Sequence, residues 1–294
     1  MKPARRRLLQ GLGGALFCAG LPKAAPAAQD FAALPKALWV WLKSLHELEG
    51  LSRFAGQHGF EALMIHFRKD ARALMLSAQP EALAHLRSLR EGGIAIYALA
   101  GEPQWAMRDA VPDTVEQLIE IERRHALFDG LHYDVEPHSL PAWRERGGRE
   151  RLMHGLVRLA RHTRTALPSH LKLQFALNPR HSLVSTGSAD ALSGLAPYVD
   201  EVALMAYRDA PQRQLEAAAP AAERLHALDI PWRMGVLSNP PREKGVSYHG
   251  LAAEAFEARM QELWAGARRL PHCRGLIFEN YHSLRALLRG PSAA

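Results

Sequence analysis

Eight short apolar runs, separated by stretches of helical periodicity, constrain this chain more than any other feature of it. The runs are ALWVWL (37–42), EALMIHF (61–67), IAIYALA (94–100), GLHYDVE (130–136), LKLQFAL (171–177), EVALMAY (201–207), WRMGVL (232–237) and GLIFENY (275–281). Each is strand-length and ends in a polar or Gly/Pro loop, which predicts strands. Between them, Leu83, Leu86 and Leu89 recur at helical spacing before Gly92. Val115, Leu118 and Ile119 do the same, as do Leu152, Leu156 and Leu159, and later Phe256, Met260 and Leu263. A strand followed by a helix, eight times over, is the rhythm of an α/β chain folded as a single (β/α)8 TIM barrel. An open doubly wound sheet would carry a Gly-rich nucleotide turn after a strand. The only such stretch, GLGG at 11–14, follows no strand.

That stretch belongs to a different object. MKPARRRLLQGLGGALFCAGLPKAAPAAQD has a basic start, a short apolar segment and small residues before Asp30. Arg5-Arg6-Arg7 followed by Leu8-Leu9-Gln10 resembles a bacterial twin-arginine export signal. We expect 1–28 to be a signal peptide and 29–294 the barrel, with a periplasmic or secreted location. The apolar segment is too short and glycine-broken to span a bilayer, so no stable membrane insertion is expected after cleavage. Lys2, Arg5, Arg6, Arg7 and Lys23 all precede Ala28, and removing those five charges from the formal +7 leaves +2. The basic pI is therefore a property of the signal and gives no ground for a nucleic-acid partner. Cys18 leaves with the signal too, so Cys273 stands alone, without an internal disulfide or a cysteine metal cluster.

In such a barrel the chemistry sits at the C-terminal ends of the strands. The residues there are His66 and Arg68; Glu102 and Trp105; Asp134, Glu136 and His138; Asn178; Tyr207 and Asp209; Ser238 and Asn239; Glu279, Asn280 and Tyr281. The fourth run is the most unusual. Alternation puts Leu131, Tyr133 and Val135 on one face and His132, Asp134 and Glu136 on the other. Two acids and an imidazole on one strand face are costly to bury unless paired, hydrated or used.

FDGLHYDVE resembles the fourth-strand signature of glycoside hydrolase family 18, the chitinases and endo-β-N-acetylglucosaminidases. Phe128, Asp129, Gly130, Leu131, Asp134 and Glu136 match that signature, whereas His132 stands where the family has Asp. Met205-Ala206-Tyr207 is similar to the sixth-strand Met-x-Tyr-Asp, with Arg208 displacing the acid to Asp209. The resemblance implies a glycan or polysaccharide substrate bearing N-acetylamino sugars, with no cofactor and no metal. It implies Glu136 as general acid, Asp134 as the carboxylate orienting the substrate acetamide, and Tyr207 as its hydrogen-bond partner. Like charge between Asp134 and Glu136 would keep one carboxyl protonated near neutrality, and a protonated His132 would hold Asp134 as an anion.

Trp105, in GEPQWA, is the expected sugar platform, since aromatic faces stack on sugar rings. Glu102, His132, Asn178, Met205, Glu279 and Tyr281 complete the expected substrate-binding set. Trp39 and Trp41 are assigned to the barrel near its first strand, where their alternation with Val40 requires one of the two faces to point inward. Three other readings stay open. Glu136 and Glu279 would serve as a two-carboxylate glycosidase pair if they face each other. His66, His132, Glu136 and His138 would suit a metal hydrolase, although no His-Glu-x-x-His is present. A catalytically inactive glycan binder would keep Trp105 and Tyr207. Oligomeric state is not legible in the sequence.

Overall fold

The computed structural model describes residues 30–77, 80–187 and 189–289. The expected export segment lies outside them. Eight parallel strands close into a barrel in chain order. They are β1 (Lys36–Trp41), β2 (Ala62–His66), β3 (Ala95–Ala100), β4 (Gly130–Tyr133), β5 (Lys172–Leu177), β6 (Glu201–Leu204), β7 (Trp232–Leu237) and β8 (Cys273–Glu279). The seam between β8 and β1 pairs Lys36 with Leu276 and Trp39 with Glu279. Around the strands lie α1 (Leu48–Gln57), α2 (Lys69–Leu76), α3 (Pro80–Glu91), α4 (Asp113–His125) and α5 (Gly148–Ala166). The ring continues with α6 (Ala191–Leu195), α7 (Pro211–Ala227), α8 (Ala253–Ala267) and α9 (Tyr281–Arg289). This is the (β/α)8 barrel that the periodicity predicts. Among the described residues, no helix is long and apolar enough to cross a membrane.

Two strands stop earlier than their apolar runs. β4 ends at Tyr133, and Asp134 N–H makes one further bond to Ala100 O at 3.0 Å. Pro137 then opens a 3-10 turn, where its missing N–H costs nothing. β6 ends at Leu204, so Met205 and Tyr207 stand above it rather than in it. These early endings lift the polar residues of both runs to the mouth.

Alternation divides the barrel into two apolar bodies. Leu38, Val40, Leu63, Ile65, Leu131, Tyr133 and Phe175 belong to the layer between strands and helices. Ala37, Trp39, Ala62, Met64, Tyr97, Leu99, Ala176, Ala203 and Ile277 fill the lumen, with Trp41, Met205 and Tyr207 half-buried against them. At the floor, Arg233 pairs with Glu201 at 2.9 Å. In the middle, the Trp39 indole N–H crosses from β1 to β4 and donates to His132 Nε2 at 2.9 Å. Indole nitrogen only donates, so His132 Nε2 must accept and its proton sits on Nδ1. Nδ1 lies 3.1 Å from Gln174 Oε1, the matching acceptor. A neutral polar chain therefore spans the lumen directly below the mouth.

Candidate active site

Four side chains from three strands meet above that chain. Asp134 and Glu136 follow β4, Tyr207 follows β6, and Glu279 ends β8. Tyr207 Oη donates to Glu279 Oε2 at 2.6 Å, and Asn239 Nδ2 donates to Glu279 Oε1 at 3.3 Å. Two glycines make the close approach available. A Cβ on Gly101 would fall 1.9 Å from the Asp134 carbonyl oxygen. One on Gly235 would fall 2.7 Å from Leu204 O and 3.2 Å from Tyr207 Cε1. A side chain at either position would displace the site backbone or ring.

The three carboxyls differ in setting. Asp134 Oδ1 is shut off from solvent and has no hydrogen-bond partner. Burial, then the charges of Glu136 and Glu279, push the Asp134 carboxyl up to about 8, so it holds its proton near neutrality. Burial also raises Glu279, against the opposing hydrogen bond from Tyr207. Glu136 is the open member, with its side chain 42% exposed and His138 Nε2 4.0 Å from Oε1. The Tyr207 hydroxyl is pushed well above its usual range by burial and by the Glu279 carboxylate, and it stays a donor. A protonated acid, an exposed carboxyl and a tyrosine–carboxylate pair around one opening can deliver and receive protons on a bound substrate.

His132 does not take the part expected of a protonated neighbour. Burial depresses its imidazole to about 4, and both ring nitrogens are engaged by Trp39 and Gln174. It is neutral, and it leaves Asp134 without a stabilising cation. The protonation on which His132 would hold Asp134 as an anion is therefore not met.

The other expected site residues divide. Glu136, Asn178 and Met205 line one small hollow, together with His138 and His181. Asn178 Oδ1 accepts from Arg180 N–H at 3.0 Å, so it caps its own loop. Glu102 is exposed on the rim and accepts from Gln104 Nε2 at 2.6 Å. Trp105 is only 3% exposed and meets the Tyr133 ring edge-on at 5.8 Å. Tyr133 points outward from β4, so Trp105 packs behind the barrel wall and offers no face to a sugar. Tyr281 is 1% exposed, starts α9, and packs on Phe54 at 5.5 Å with Arg285 on its hydroxyl at 3.0 Å. It too is structural. In place of those two rings the mouth presents Trp41, half-buried at the end of β1 against the lumen cluster. Its signal lay in the alternation with Trp39: the next inward position of β1 is the rim. Asn239 was visible as a strand-end residue, but only the fold brings it to Glu279.

No family model matches the chain, and no curated protein matches it. Solved structures do resemble it. The Bacillus cereus spore cortex-lytic enzyme SleL aligns with a TM-score of 0.56 at 12% identity, covering 85% of this chain and 71% of that one. A chitinase from Bacteroides thetaiotaomicron aligns with a TM-score of 0.51 at 12% identity, over 84% and 89% of the two chains. The probable 3-DHS dehydratase AsbF from Bacillus anthracis aligns equally well, at 0.52 and 11% identity, over 87% and 96%. These likenesses define the chain as a TIM-barrel protein whose structural neighbours include glycosidases and also enzymes of other chemistry.

Proposed function

We propose that this protein is an exported glycoside hydrolase acting on glycans that carry N-acetylamino sugars. The observation that carries this reading is the convergence of Asp134, Glu136, Tyr207 and Glu279 on the barrel mouth, with Asp134 kept protonated. Glycosidic cleavage needs a proton on the leaving oxygen and stabilisation of positive charge at the sugar carbon. Glu136, the exposed carboxyl, is the proton donor. Asp134 and Tyr207 hold the acetamide that attacks the anomeric carbon. Trp41 is the aromatic wall against which the ring lies. The likeness to a chitinase and to a spore cortex-lytic enzyme supports the substrate class. The twin-arginine-like start supports passage to the periplasm or beyond.

The Tyr207–Glu279 bond favours one further reading. A carboxylate with both oxygens engaged is oriented as a glycosidase nucleophile is, and Glu279 would then act opposite Glu136. Activity of the mature protein on chitin oligosaccharides and peptidoglycan tests both. Glu136→Gln should abolish turnover and keep binding in either case, while Glu279→Gln should be as severe only if Glu279 is the nucleophile. Failure of the wild type to cleave any N-acetylamino-sugar glycan would sink the proposal.

A further inference from the structure

Beside the mouth lies a second concavity that the proposed chemistry does not use. It has a volume of about 280 Å³ and sits where the chain leaves β1 and β2. That is near the lower end of the range for small-ligand sites, about 300–1,000 Å³, and suits a single compact group. Lys43, His46, His66, Arg68 and His85 line it over an apolar base that includes Leu42 and Phe67. His66 follows Ala62 and Met64 on the inward face of β2 and pairs in register with Trp41. The pocket therefore opens at the rim of the same mouth, with β1 between it and Glu279.

Its charge differs from that of the acidic mouth. Two acids belong to the lining, Glu49 and Asp70, and each already faces an arginine: Glu49 with Arg53 at 3.0 Å and Asp70 with Arg68 at 3.4 Å. Among the described residues, the Lys43 ammonium and the imidazoles of His46 and His85 have no such partner. Behind the wall, Arg72 is 8% exposed and spends its guanidinium on Phe67 O at 2.6 Å and Gln117 Oε1 at 2.9 Å, with no carboxylate in ion-pair contact. Its field reaches outward through the wall, offset in part by the carboxylates of Asp70 and Glu102. His66 registers that field: burial, then Arg72 and Arg68, hold its imidazole below its usual range. The Arg68–Asp70 pair is solvent-exposed at 59% and 68%, so Arg68 can exchange Asp70 for a ligand at little cost.

We infer that this pocket is a subsite for a carboxylate-bearing sugar unit, held by Lys43 and Arg68 with imidazole hydrogen bonds from the three histidines. Sugar binding here rests on the function proposed above, but the test reads binding at the pocket, so each can fail without the other. N-acetylmuramic acid is N-acetylglucosamine with one lactyl carboxylate added, and the pair isolates the charge. The imidazole NMR signals of His46, His66 and His85 are followed while each sugar is titrated into the full-length chain. N-acetylmuramic acid should move these signals saturably, and N-acetylglucosamine should leave them in place. The Lys43→Gln/Arg68→Gln variant, with its remaining spectrum unchanged, should bind at least about tenfold more weakly. Equal shifts from both sugars, an unweakened double variant, or the same saturable shifts from sodium sulfate would each overturn the assignment.

Discussion

The Tyr207 hydroxyl donates a hydrogen bond to Glu279 Oε2 across 2.6 Å, joining the end of the sixth strand region to the end of the eighth. With that proton committed, the Tyr207 oxygen offers lone pairs to a substrate N–H or hydroxyl. Removing the hydroxyl strips the half-buried Glu279 of its shortest hydrogen bond. Tyr207→Phe should therefore lower kcat by about 10²-fold, the scale of losing one preorganised hydrogen-bonding group. Steady-state kinetics on the substrate identified by the activity screen would check it, and an unchanged kcat would remove Tyr207 from the site.

Asp134 carries a pH signature. Its folded-state value of about 8 lies above its unfolded value near 3.9. The folded protein thus binds this proton more tightly, and stability falls as pH rises through that window. Asp134→Asn keeps the shape and removes the titration. Between about pH 5 and pH 9 the wild type should lose a few kcal/mol more stability than the variant. Urea denaturation at the two pH values measures this, and parallel losses would refute it.

His132 has the opposite sign. Its folded value of about 4 lies below the ordinary imidazole range, so its contribution is present above that range and is lost as pH falls. His132→Leu leaves the Trp39 N–H and the Gln174 carbonyl oxygen buried without partners. It should cost about 2–4 kcal/mol at neutral pH. His132→Asn or His132→Gln, which can supply both an acceptor and a donor, should recover part of it.

The two tryptophans near the mouth should separate cleanly. Trp105→Ala opens a cavity behind β4 and should cost about 3–5 kcal/mol of stability. Glycan affinity in the surviving folded fraction should not change. Trp41→Ala should spare stability by comparison and raise KM about tenfold through lost ring stacking. Thermal melts read beside KM would expose an exchange of these roles.

The barrel and the place of its acids were legible from residue order alone. Strand and helix periods are local, and eight alternations leave few ways to bury every apolar face. Parity within FDGLHYDVE likewise sent His132 inward, and the end of β4 carried Asp134 and Glu136 to the mouth. The tertiary structure decided which of these groups carry charge. His132 is neutral because Trp39, 93 residues away, supplies a donor-only partner. Asp134 keeps its proton because burial and two acids act on it with no cation near, and one of those acids, Glu279, comes from the far side of the closed sheet. Trp105 and Tyr281 follow strand ends in sequence, yet the 3-10 turn that carries Trp105 and the first turn of α9 bury both rings away from the mouth. Exposure and ionisation depend on what distant segments bring to a residue, and closure of the barrel settles that.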